Sequence, residues 1–152
     1  MTSTLEIFTD GACSGNPGPA AIGVVIKKQG KIIKEISQSV GEATNNIAEY
    51  TALIWALQEA LMLKADELFV KTDSELMYRQ IIGEYKVKDE GLKPLFEQVK
   101  HLVEGFKRVE FKHVPREQNQ EADKLARQGL KLSQDGRLAS EAGGEESPSS
   151  KG

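Results

Sequence analysis

The chain contains one cysteine, Cys13, and two histidines, His101 and His113. An intrachain disulfide is impossible, and a zinc centre built from Cys and His has too few ligands. Long apolar runs are missing as well. The most apolar window, residues 47–63, is broken by Glu49, Thr51, Gln58 and Glu59, so no membrane-spanning helix is expected. The opening residues, MTSTLEIFTD, have no basic start, apolar stretch or small-residue cleavage site of a secretory signal, and a cytoplasmic location is the expectation. No segment recurs at a fixed period, which argues against a solenoid. Nor is there a large excess of either charge: the formal charge is −3, and without residues 133–152 the rest of the chain is near neutral. That balance neither requires nor excludes a nucleic-acid partner, because acids committed to a metal hide cationic surface in the count.

What is present suits one soluble domain. With 152 residues, 39% of them hydrophobic and 28% charged, a single core can form. Residues 7–19, IFTDGACSGNPGP, lead from a β-branched and aromatic approach to Asp10 and then into a stretch with Gly11, Gly15, Pro17, Gly18 and Pro19. A carboxylate at a strand end, followed by glycines that let a ligand approach the backbone, suits chemistry. Cys13 reads as a small packing residue, since a lone cysteine without a base behaves as a small apolar group.

Residues 4–9, 20–28 and 31–40 read as strands, with Gln29-Gly30 as a hairpin turn between the second and third, so these strands are expected to be antiparallel neighbours. From Thr44 the period changes. Ile47, Tyr50, Thr51, Ile54, Leu57 and Leu61 recur at intervals of three and four, with Thr44 or Asn45 as N-cap, which makes a helix with a broad apolar face. Residues 67–72 form a fourth strand ending at Asp73, and Ser74 opens a helix that Gly83 ends. A lysine-bearing stretch, GEYKVKDEGLKP, precedes a helical run through Phe106. Residues 108–114 then alternate as a last strand, Pro115 breaks it, and a final helix starts near Asn119. This order implies an α/β domain with parallel pairing after the helices. Residues 133–152, rich in Ser, Gly and Glu, read as a disordered tail to a domain of residues 1–132.

Four acids fall at element ends or in early helical turns: Asp10, Glu49, Asp73 and Asp123. Each alone has an ordinary explanation as a cap or a partner of a helix dipole. Together they can face one end of a parallel sheet, where α/β folds place ligands. Carboxylates so gathered repel one another unless protons or cations intervene, and all-oxygen sites suit Mg²⁺, Mn²⁺ or Ca²⁺. Phosphodiester hydrolysis is the reaction that two such ions serve best.

The segments TDGACSGNPGP, TNNIAEYTAL, KTDSELMYRQI and HVPREQNQEADKLA, in this order over residues 4–131, resemble ribonuclease H of type 1. The resemblance implies an α/β, ribonuclease H-like fold with a five-stranded mixed sheet in order 3-2-1-4-5, flanked by helices. It implies an endonuclease that cuts the RNA strand of RNA/DNA hybrids, leaving 5′-phosphate and 3′-hydroxyl ends. Carried over by position, Asp10, Glu49, Asp73 and Asp123 would bind two Mg²⁺ ions, with Mn²⁺ as a substitute. His113, six residues before Asn119, would assist proton transfer or product release. Gly11, Asn16, Asn46 and Gln80 would contact the hybrid, and Thr44 would form part of a pocket for a DNA phosphate. His101 has no motif around it and reads as a surface residue.

There are departures from the family's pattern. The long basic insertion of some bacterial members is absent between the helix after Asp73 and the next one, which resembles the subgroup without that protrusion. Phosphate contacts would then fall to Lys86, Lys88 and Arg116, making hybrid binding weaker and more salt-sensitive. No N-terminal hybrid-binding domain is expected, and a monomer is the default. Two rival readings are an enzyme that also cuts double-stranded RNA and a non-catalytic hybrid-binding module. The presence of all four acids argues against the second.

Overall fold

The structure, a computed structural model, describes residues 2–143, with side chains described through Leu132. The strands β1 (Thr4–Cys13), β2 (Gly18–Lys28) and β3 (Lys31–Ala43) come first, followed by α1 (Asn45–Met62). Next come β4 (Glu67–Thr72), α2 (Glu75–Ile81), α3 (Lys93–Val103) and β5 (Arg108–His113). A 3₁₀ turn, Arg116–Gln118, then leads into α4 (Gln120–Gly143).

The expected sheet is formed, in order β3-β2-β1-β4-β5. Its antiparallel half is made by local turns. Gln29 and Gly30 both have positive φ, 53° and 81°, which is the backbone of the tight turn that matches the twist of a β2–β3 hairpin. Its parallel half, β1 with β4 and β4 with β5, needs crossovers, which α1 and the α2–α3 pair supply. The parallel ladder of β1 with β4 stops at Thr9–Thr72, whereas the antiparallel ladder with β2 continues to Cys13–Ala20. The first strand thus runs four residues beyond its expected end, because β2 keeps supplying hydrogen-bond partners there. Asp10 is the first residue past the parallel ladder.

Side-chain alternation assigns the two faces. Leu5, Ile7, Val24, Ile26, Leu68 and Val70 point to one face and pack with Leu53, Ile54 and Leu57 of α1 in the main core. Each fully buried aliphatic side chain there contributes about 1.5–3 kcal/mol. On the opposite face α4 lies directly on β2. At Gly23 an added Cβ would stand 2.1 Å from the Ala122 carbonyl oxygen, so helix and strand approach through a residue without a side chain. Ala122 and Ala126 are fully buried in that seam.

Two boundaries differ from expectation. The helix before β5 ends at Val103 rather than running through Phe106. The last helix continues as helical backbone past Ser133, where the tail was expected to begin, to Gly143. Residues 144–152 of that expected tail lie outside the described residues.

Candidate active site

Where β1 outruns β4, α1 descends onto it. A Cβ at Gly11 would come within 2.5 Å of the Ala48 carbonyl carbon and 2.6 Å of the Glu49 nitrogen, so the strand and helix meet at a position that only glycine fits. That contact sets Glu49 beside Asp10. The helix start is itself fixed by sequence: Thr44 is the N-cap, and its hydroxyl oxygen accepts from the Ile47 amide at 3.2 Å. Asp73 comes from the end of β4. Its position is held by a local turn, in which the Ser74 amide donates to the Thr72 hydroxyl at 3.0 Å and Ser74 in turn caps α2.

Asp10, Glu49 and Asp73 each offer a ligand atom, and these atoms lie within 4.8 Å of one another. Asp123, in the first turn of α4, lines the same basin. Like charges at this spacing cannot all ionise freely. The Asp10 carboxyl is pushed up to about 8, mainly by burial and then by the carboxylates of Asp73 and Asp123. Glu49 lies well above the ordinary carboxylate range for the same reasons, burial first and then Asp10 and Asp73. Its Oε1 is buried without a hydrogen-bond partner among the described residues. A partnerless buried carboxylate oxygen facing two further carboxylates is the donor set of a hard divalent cation, so these residues fit such an ion.

Two arginines share the basin. Arg116 Nε is 3.9 Å from Asp73 Oδ2, and Arg127 Nε is 3.2 and 3.1 Å from the two oxygens of Asp123. Both guanidinium groups are largely exposed, so these pairs add little stability. Their effect is to place positive charge at the rim of an acidic basin. Asn119 secures the link between α4 and β1: it is fully buried, its Nδ2 donates to the Thr9 carbonyl at 2.9 Å, and its own carbonyl accepts from the Asp123 amide at 3.1 Å.

The sequence matches the family described as "Reverse transcriptase-like" over residues 8–129. A Mycobacterium tuberculosis "Bifunctional protein Rv2228c" is 40% identical over 126 residues, covering 82% of this chain and 35% of that protein. "Ribonuclease HI" of Halobacterium salinarum is 40% identical over 127 residues, covering 83% of this chain and 64% of that protein. The chain thus spans between about a third and two thirds of the length of these curated relatives. A solved structure of LC11-RNase H1 in complex with RNA/DNA hybrid superposes with a TM-score of 0.81 at 42% identity, covering 85% of this chain and 98% of that one. The chain belongs to the ribonuclease H family.

Of the residues that the ribonuclease H resemblance singled out, the structure brings the four acids, Gly11 and Asn46 to one basin. Asn16 stands next to it, its side-chain oxygen accepting from the Asn45 amide at 2.9 Å and tying the β1–β2 loop to α1. Thr44 caps α1 beneath the same loop. Gln80 is elsewhere: it is 4% exposed, and its oxygen accepts from the Tyr50 hydroxyl at 2.6 Å.

His113 is also outside the basin lining. It ends β5 in register with Thr72, and alternation puts it on the face of Val109 and Phe111, where its ring stacks on Tyr78 with centroids 5.9 Å apart. Arg116, three residues later and past Pro115, does line the basin. Arg127 was not singled out by its motif, although its i+4 spacing from Asp123 is a legible signal for a helical ion pair. Cys13 lines the basin, donating to Asn45 Oδ1 at 3.0 Å, and burial pushes its thiol up, away from the thiolate form. His101 is exposed, as expected.

Proposed function

We propose that this chain is a metal-dependent endonuclease that hydrolyses the RNA strand of RNA/DNA hybrids, leaving 5′-phosphate and 3′-hydroxyl ends. The observation that carries this reading is the convergence of Asp10, Glu49 and Asp73 within 4.8 Å, with a buried glutamate oxygen left without a partner. The likeness to LC11-RNase H1, solved in complex with RNA/DNA hybrid, supports the choice of substrate.

Asp10, Glu49, Asp73 and Asp123 would hold two Mg²⁺ ions, for which Mn²⁺ would substitute. When bound, such ions supply charge stabilisation and water activation for an in-line displacement at phosphorus. The chain's own residues do the rest. Arg116 and Arg127 hold positive charge at the rim, where it draws an anionic backbone toward acids that would otherwise repel it. Asn46 and the backbone beside Gly11 offer short polar groups at the basin wall, suited to reading 2′-hydroxyl groups across a shallow minor groove. Asn16 and Thr44 shape the adjoining corner for a phosphate of the DNA strand.

The test is cleavage of RNA/DNA hybrid, double-stranded RNA and single-stranded RNA, each with Mg²⁺, Mn²⁺ or chelator. Metal-dependent cutting of the RNA strand of the hybrid alone is expected. Equal cutting of double-stranded RNA would broaden the substrate class, and metal-independent cutting would remove the proposed mechanism.

A further inference from the structure

Asp123 is held differently from the other acids. Asp10, Glu49 and Asp73 offer atoms within 4.8 Å of one another, and Asp123 is not in that group, although it lines the same basin. Two partners account for its place. On one side a hydrogen bond joins it to Asp10, a cause, after burial and the Asp73 charge, of the raised Asp10 carboxyl. On the other is Arg127, one turn further along α4, whose Nε lies 3.2 Å from Asp123 Oδ1 and 3.1 Å from Oδ2. A single N–H thus points between both oxygens, and its charge stands where a cation shared by both would sit.

Stability is a weak reason for this pair. The Arg127 side chain is 68% exposed against 25% for Asp123, and exposed pairs at i,i+4 contribute little. Among the described residues Arg127 has no other charged partner, so its charge is directed at this acid alone. A group beside a metal-binding carboxylate acts in one of two ways. A hydrogen-bonding partner that orients the ligand strengthens the site, and its removal weakens metal binding. A positive charge in contact with the same oxygens does the reverse, because it repels the incoming ion and must leave before both oxygens are free. The position of Nε between the two oxygens fits the second.

We infer that Arg127 is a competitor for the metal at Asp123, holding this carboxylate while no ion is there and releasing it to the second of the two ions. The three-acid group, with which Arg127 forms no ion pair among the described residues, takes the first ion without that cost. The inference rests on the two-ion reading proposed above, and in it Arg127 is a positioning residue that acts on the metal through Asp123.

Two measurements on the full chain without nucleic acid test it. In calorimetric titration with Mn²⁺ at low salt, two steps are expected, and in Arg127→Ala the weaker one should tighten about three- to fivefold while the stronger stays within about twofold. Two steps in that variant against one in the unaltered chain would be the same result in its extreme form. Arg127→Lys, which keeps a charge one turn from Asp123, should leave the weaker step near that of the unaltered chain. Added salt should shrink the gain of the alanine variant, since exposed charges are screened. A weaker step that loosens or stays the same in Arg127→Ala, or that tightens equally in Arg127→Lys, would overturn the competition. So would a single step in both the unaltered chain and Arg127→Ala. The second measurement is nuclear magnetic resonance of the Arg127 Nε–H, whose exchange with water should become about tenfold faster when Mg²⁺ saturates the protein. An exchange rate that Mg²⁺ leaves unchanged would show that the pair survives the ion, against the inference. If both measurements come out as expected while the unaltered chain cuts no hybrid, the failure lies in the proposed substrate and not in the role of Arg127.

Discussion

Gly11 and Glu49 are in contact through backbone: a Cβ on the first would stand 2.6 Å from the amide nitrogen of the second. The strand bearing Asp10 and the helix bearing the next acid therefore share a position that tolerates no side chain. Gly11→Ala should push α1 away, lowering stability by about 1–3 kcal/mol, with cleavage falling more steeply than the fraction folded. Urea unfolding and a hybrid cleavage assay on the same samples check this. Full activity with unchanged stability would show that the two backbones have room to spare.

The proton balance of Asp10 gives a pH prediction. Its carboxyl is pushed up from the ordinary 3.8 to about 8, so the fold favours the protonated form. The resulting stabilisation is complete below about pH 4 and is lost as pH rises toward 8. Metal-free protein should therefore melt at a lower temperature at pH 8 than at pH 5, relative to Asp10→Asn, which lacks this titration. Excess Mg²⁺ should reverse the trend, because it binds the ionised form. Melting curves for both proteins at several pH values decide it; a constant difference between them would mean that Asp10 is ionised throughout.

Asp10→Asn should also reduce hybrid cleavage by about two orders of magnitude or more while the protein stays folded. Turnover near that of the unaltered chain, measured with Mg²⁺, would sink the assignment of Asp10 as a metal ligand.

Arg116 and His113 separate by position. Arg116→Ala should lower kcat/KM about tenfold or more, through loss of a charged contact to phosphate. His113→Ala should leave it within about twofold, since its ring stacks on Tyr78 outside the basin. Steady-state kinetics on both variants make the comparison, and a larger loss for His113→Ala would support the assisting role that the family resemblance implies.

Tyr50→Phe tests the polar link between α1 and α2. It removes the hydroxyl that donates to Gln80 at 2.6 Å and leaves a buried amide oxygen unsatisfied, at a cost of about 1–2 kcal/mol. A chemical denaturation midpoint equal to that of the unaltered chain would show that water replaces the hydroxyl there.

Much of the fold was legible from period alone. Alternation marked the strands, three-and-four spacing marked α1, and Gln29-Gly30 marked the hairpin, because these patterns follow from backbone geometry that each short segment carries itself. Boundaries were less legible. How far β1 extends depends on β2, a partner elsewhere in the chain, and the backbone of α4 continues past the compositional break at Ser133.

The four acids were readable by their places at element ends and in early helical turns, an order that allows them to face one end of the sheet. What the sequence by itself determined is the local chemistry: which carboxylates exist, which residues cap helices, and which glycines stand where a turn or a close approach needs them. Tertiary structure alone decided which groups share the basin. It brought Arg116 in and left His113 and Gln80 out, because the facing of a side chain depends on strand register and on the turn at Pro115. It also decided that Asp10 holds its proton so firmly, since burial and the nearness of Asp73 and Asp123 arise only when residues far apart in the chain are packed together.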